Sequence, residues 1–167
     1  MPDDLIRPLV ELAATRPEGE WPEQLDLDRF HRILGEMAPA SRDVRDVGTA
    51  RQVRDTIGAI LLDGTDTHAY AILNRVMADR AVTPSVDQAG LRYRSKHADA
   101  VSALWAQMAE PLLSGVVSGV RGRTKRCASA PCVTPFINSQ GGGQEYCCAR
   151  CATRARVRRH RAERANR

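Results

Sequence analysis

Apolar residues recur at helical spacing through most of the first two thirds of the chain. From Asp26 to about Met37, the positions Leu27, Phe30, Ile33 and Leu34 mark one face behind an acidic start, which predicts a helix. APASRDVRDVG breaks it. A second helix is expected from a Thr49 cap through Val53, Ile57, Ile60 and Leu61 to Gly64. A third starts at Asp66 or Thr67, carries Tyr70, Ile72, Leu73, Val76 and Met77, and ends at Asp79 and Arg80. From Ala81 to Lys96 the period shortens to two around a Gly-ended turn, AVTPSV then DQAG then LRYRS, the pattern of a β-hairpin. A long helical pattern follows in HADAVSALWAQMAEPLLSGVVSGV, where Pro111 either kinks or ends the helix. At the N-terminus LVELAATR reads as a short strand or a first helix turn, and RPEGEWPEQ as a loop. Gly, Ser and then RGRTKR form a hinge into the last third.

With 167 residues, the chain has room for one main core and a small appendage. Two Phe, two Trp and three Tyr leave that core to Leu, Val, Ile and Ala, which suits helices. The expected fold is a mainly α N-terminal domain with one small β-hairpin, α+β in class, over residues 1–122. A small zinc finger with a basic C-terminal helix follows over 123–167.

Charge divides the chain at the same place. The net charge of +5 is the sum of −5 over residues 1–120 (13 Lys/Arg against 18 acids) and +10 over 121–167 (12 Lys/Arg against Glu145 and Glu163). A basic tail on an acidic body points to a polyanion as the tail's partner. No apolar run approaches the roughly 20 residues of a membrane span, and MPDDLIRPL lacks a signal peptide's basic start. A cytoplasmic location with no membrane partner is therefore expected.

All five cysteines fall within the 25 residues from Cys127 to Cys151. A Cys-x4-Cys pair, a 14-residue loop and then Cys147, Cys148 and Cys151 form the layout of a four-thiolate zinc site, with reduced structural cysteines or a redox pair as the alternative. Four thiolates close the tetrahedron and leave no position for a catalytic water, so a single Zn2+ here is structural. The expected ligands are Cys127, Cys132, Cys147 and Cys151. Cys148, which gives a tighter x2 spacing to Cys151, is the rival for the third place.

From Cys151 to Arg167 a helix would place Cys151, Ala155, Arg158 and Ala162 on an inner stripe, with Thr153, Arg156, His160, Arg164 and Arg167 opposite. Arg154 and Arg161 take one flank and Arg159 the other. Such a helix needs an anchor and an anion, because arginines one turn apart repel. Zinc meets the first need and phosphates the second, through bidentate guanidinium contacts. Arg154, Arg156, Arg158, Arg159, His160, Arg161 and Arg164 are the candidate contacts to double-stranded DNA. The scarcity of aromatics disfavours single strands.

The cysteine segment, with FIN after Cys132 and CATRARVRRHRAER at the end, resembles the CGNR zinc finger. Upstream, LVELAATR, AILNRVMADR, LRYRS and the long helix are similar to the ABATE domain that accompanies it. The positions that give the finger its name hold Ala152 and Thr153 here, Asn138 stands where an Asp is usual, and the loop between the knuckles is GGGQE rather than Arg-rich. Proteins of this kind are regarded as bacterial transcription regulators, often stress-related. The resemblance thus implies a DNA-binding finger behind a domain that senses a ligand. The alternative is an interaction module that docks on an acidic partner in the transcription machinery.

No enzyme is expected. His31, His68 and His97 are scattered as ordinary histidines, Asp63, Asp66 and Asp79 look like helix-end residues, and the glycines at 141–143 need no role beyond a turn. Tyr70, Tyr93 and Trp105 are assigned to core packing ahead of a small-molecule pocket.

Overall fold

A computed structural model describes residues 2–17, 22–88, 90–132, 134–138 and 142–165. The centre of the RPEGEWPEQ loop, one residue of the hairpin turn, Gly141 and Arg167 lie outside the described residues.

The first segment is a helix, α1 (Pro2–Ala13). Of the two readings of LVELAATR, strand or helix turn, the helix is the one that forms, and it starts earlier, with Pro8 inside it. An interior proline costs a helix about 3 kcal/mol. Ile6, Leu9, Val10 and Leu12, each at most 3% exposed, offset this with about 1.5–3 kcal/mol apiece. That burial makes α1 the hub. It packs on α2 (Leu27–Leu34), α3 (Val47–Leu61) and α5 (Ala100–Val117).

The caps are carried by short polar side chains. Asp26 opens α2 by accepting from Arg29 N at 2.7 Å. A 3₁₀ turn over Pro39–Asp43 leads to α3, whose cap is Asp46, one turn earlier than the expected Thr49. Thr49 is instead the donor, giving its N–H (2.6 Å) and hydroxyl (2.8 Å) to the Asp46 carboxylate. Helix α3 stops at Leu61, and Gly64 takes the left-handed conformation (φ 63°) before Thr65 caps α4 (Asp66–Asp79). The hairpin forms as expected, β1 (Val82–Asp87) antiparallel to β2 (Gly90–Ser95), with Val86 opposite Leu91.

Helix α5 is capped by Asp99 and runs through Pro111 to Val117. It is long and apolar enough to cross a membrane by length and composition. Its Leu104, Trp105, Met108, Leu112 and Val116 are nevertheless the floor of the core. Tyr93 is half-buried in the hairpin, whereas Tyr70 is 45% exposed on α4 and takes no part in the core.

The expected hinge is a fastened strap. Gly119 (φ 72°) turns the chain, and Val120 then enters the core with no exposure. Within α6 (Val120–Arg123), Arg121 fans its guanidinium over the end of α3. It donates to the carbonyls of Ile60, Asp63 (2.8 Å) and Gly64 (2.9 Å) and to the Asp66 carboxylate (2.9 Å). The Ile60 carbonyl is one that the end of α3 leaves unsatisfied, and those of Asp63 and Gly64 belong to the turn that follows. Arg123 reaches the N-terminus of α1 and meets the buried Asp3 carboxylate at 2.6 Å. Strands β3 (Thr124–Arg126) and β4 (Pro135–Ile137) then pair, and β4 lies against α1 with Ile137 packed on the main core.

A second buried cation, Arg54 on α3, binds Glu23, Asp55 (2.9 Å) and the Thr15 carbonyl (3.4 Å). Burial alone would raise the Glu23 carboxyl, but the hydrogen bonds from Arg54 and Leu25 N hold it below its ordinary value.

Two predictions follow from this packing. A Cβ on Gly115 would come within 1.9 Å of Ile6 Cδ1, so Gly115→Ala should destabilise the protein by about 1–3 kcal/mol in urea titration. Because the Glu23 pKa is depressed in the folded state, its contribution is complete above the unfolded value and lost as pH falls through the folded one. Stability should therefore decline on acidification below about pH 4.3, and Glu23→Gln should remove part of that slope.

Candidate metal centre and basic helix

Strands β3 and β4 deliver the first two cysteines. Cys127 follows β3 directly, and its N–H reaches the Thr134 carbonyl at 3.1 Å, extending the ladder by one step. The Cys132 N–H returns to the Ser129 carbonyl at 2.7 Å, which closes the turn and brings the two thiols to one side. A bond from Ala128 N to the Glu145 carbonyl (2.9 Å) draws the second half alongside. Cys147 then arrives in non-helical chain, with its N–H 3.5 Å from Cys127 Sγ. Cys151 lies in the first turn of α7 (Ala149–Ala165).

The Sγ atoms of Cys127, Cys132, Cys147 and Cys151 all lie within 4.8 Å of one another. Two edges are 3.8 Å (Cys132 to Cys147) and 3.7 Å (Cys147 to Cys151). A tetrahedron of sulfur around zinc, with bonds of about 2.3 Å, has edges of about 3.8 Å. Disulfides are excluded at these separations, since a sulfur–sulfur bond is about 2.05 Å. Cys127 and Cys151 are each 6% exposed and form the inner pair. Cys148 is exposed and stands 3.9 Å from Cys147 Sγ, on the rim rather than in the cluster. The register follows from α7: the residue just before the helix turns outward, and the one before that still reaches back.

The thiols are unequal. At Cys132 burial pushes the thiol up, but hydrogen bonds from the Thr134 hydroxyl and N–H, with Cys147 and Cys151 behind them, bring it down to about 7. Burial raises Cys147 strongly and Cys151 to about 11, since neighbouring thiols compete for the same protons. Around Cys148 the N–H and thiol of Cys151 lower the value. A divalent cation resolves that competition by taking all four sulfurs as thiolates. The four cysteines fit one zinc ion held for structure, and the fold and cluster define a small zinc-finger module.

That module has a family. The CGNR zinc finger matches residues 123–164, from the last residue of α6 almost to the end of α7. The same comparison did not find an ABATE domain, and a search among curated proteins returned no match.

Helix α7 leaves the cluster as an arginine rod. Only Cys151 is buried, and Ala152, Arg154 and Ala155 are half-buried. Arg158 bends back and donates from Nη2 to the Ala130 carbonyl at 2.6 Å, a tie between helix and first knuckle. Of the expected inner stripe, Cys151, Ala155 and Arg158 face the finger, whereas Ala162 faces nothing and is exposed. Arg156, Arg159, His160, Arg161 and Arg164 are all exposed.

Sequence reasoning missed a cleft of about 860 Å³ between α1, the end of α3 and the β3–β4 ribbon, with Arg7, Arg16, Arg29, Arg126, Phe136 and Cys147 among its walls. Cys147 apart, its walls carry no sequence signal, because they meet only through the strap. His31 bonds the Val44 carbonyl at 3.1 Å, and His68 and His97 are exposed, all away from the sulfur cluster.

The cluster predicts its own mutational pattern. Cys127→Ser, Cys132→Ser, Cys147→Ser and Cys151→Ser should each abolish stoichiometric zinc, while Cys148→Ser should retain one ion per chain by elemental analysis. Chelation should expose the amides of α7 to exchange while α1–α5 stay protected, because only the finger lacks an apolar core of its own.

Proposed function

We propose that this chain binds duplex DNA through the exposed faces of α7 and regulates transcription, with the zinc cluster as the anchor that makes the helix possible. The observation that carries this reading is a bare, unpaired cationic helix growing directly out of a four-cysteine site. Among the described residues Arg154, Arg156, Arg159, Arg161 and Arg164 have no carboxylate partner. Arginines one turn apart repel, so a helix left in this state is stabilised by an anion laid along it. Its 17 residues span about 25 Å, enough to lie along a major groove about 12 Å wide.

Roles divide along the helix. Arg158, tied to Ala130, holds the rod on the finger, and Arg154 lies half-buried at its root. Arg156, Arg159, His160, Arg161 and Arg164 are free to meet phosphates and base edges. Ala152 and Thr153 replace the residues that name the CGNR finger, so the first turn contributes less than its relatives would, and recognition shifts to the distal arginines. The CGNR zinc finger is associated with bacterial regulators, which supports a role in transcription. The body, read as ABATE-like, serves as the ligand-sensing part.

Replacing Arg156 and Arg164 with Ala should weaken binding to random duplex and reduce the salt slope by about 0.9 per lost phosphate contact. The measurement is affinity against salt concentration, by fluorescence anisotropy, with zinc content as the control for folding. Unchanged affinity and slope with zinc retained would sink the DNA reading in favour of docking on an acidic protein of the transcription machinery.

A further inference from the structure

Five thiols converge where four suffice, and the fifth is the accessible one. Cys148 is exposed at the N-terminal edge of α7, its Sγ 3.9 Å from that of Cys147. Its carbonyl already accepts the N–H groups of Cys151 (3.1 Å) and Ala152 (3.2 Å), so Cys148 sits where the first turn begins. Cys127 and Cys151, by contrast, are 6% exposed. We propose that Cys148 is an oxidation site for hydroperoxides, and that it then forms a disulfide with Cys151 that dismantles the zinc cluster.

The chemistry balances in two steps. The Cys148 thiolate attacks one peroxide oxygen; the S–O bond forms as the O–O bond breaks, and the leaving hydroxide or alkoxide takes a proton to become water or an alcohol. The resulting sulfenic acid is attacked by the Cys151 sulfur. The S–S bond forms, the S–O bond breaks, and a second hydroxide leaves as water. Two thiols lose two electrons and one hydroperoxide gains them.

Geometry selects Cys151 over the adjacent Cys147. Neighbouring residues are held about 3.8 Å apart at Cα by a trans peptide, below the 4.4–6.8 Å range of ordinary disulfides. Residues three apart in a helical turn lie about 5 Å apart at Cα, inside it. A Cys148–Cys151 bond removes one buried ligand, and three thiolates no longer close the tetrahedron. The disulfide stays within a single helical turn, so it ties α7 to no other element, while the Arg158 bond to Ala130 still joins the helix to the first knuckle.

The test follows zinc release from the full-length, zinc-loaded chain treated with hydrogen peroxide, using a chromogenic zinc indicator and disulfide mapping by mass spectrometry. Wild type should release its ion with a mapped Cys148–Cys151 disulfide, and reductant plus zinc should restore the starting state. Cys148→Ser should keep its zinc content and release it roughly tenfold more slowly. Release from Cys148→Ser at the wild-type rate, a disulfide that omits Cys148, or wild type that keeps its zinc after Cys148 is oxidised would each overturn the proposal. The zinc readout is independent of DNA binding, so the two readings fail separately.

Discussion

Four sulfur atoms gathered within 4.8 Å take the place of a hydrophobic core in the last quarter of this chain. Beyond Val120, the described residues of the finger that are buried are Cys127, Ser129, Pro135, Asn138 and Cys151, with Phe136 and Ile137 half-covered. Everything C-terminal to β3 takes its position from that cluster: the turn between Cys127 and Cys132, the return of the second half through Ala128 and Glu145, and the direction in which α7 departs. A module this small has too little apolar area to order itself, and thiolate–metal bonds supply the difference.

The body solves a different problem with charges. Arg121 closes the carbonyl end of α3 and Arg123 neutralises the buried Asp3, so the finger is joined to the body by side chains that the body itself requires. Removing one partner of such a pair leaves a buried charge uncompensated, which is more costly than never having built the pair. Arg54 with Glu23 and Asp55 repeats the device in the middle of α3. Finger and body are therefore mechanically one piece at the strap, while the cleft beside it remains open between them.

The helices, the hairpin and the cysteine layout were legible because each rests on local periodicity or spacing. What escaped the sequence depends on distant partners. LVELAATR alone left strand and helix open, and the burial of Ile6 and Leu9 in a core built by distant helices decides for the helix. RGRTKR read as a hinge because polar, glycine-containing segments usually are one, and nothing local reveals that Arg121 will find carbonyls 57 and 58 residues earlier. Thr49 and Asp46 are both good caps on composition; only the direction of the hydrogen bond distinguishes them. In the metal site, spacing left Cys147 and Cys148 open, and the start of α7 separated them.

The tie from Arg158 to Ala130 divides α7 into a held half and a free half. The helix is rooted at the cysteine cluster, and its free end swings about that root. Over the roughly 25 Å of the helix, a tilt of about 5° at the cysteines carries the tip about 2 Å. That is comparable to the length of a hydrogen bond. Small changes in how β4 rests on α1 would thus be magnified along the rod, so motions too small to disturb the finger's own packing could still bring the distal arginines into or out of register with a row of phosphates.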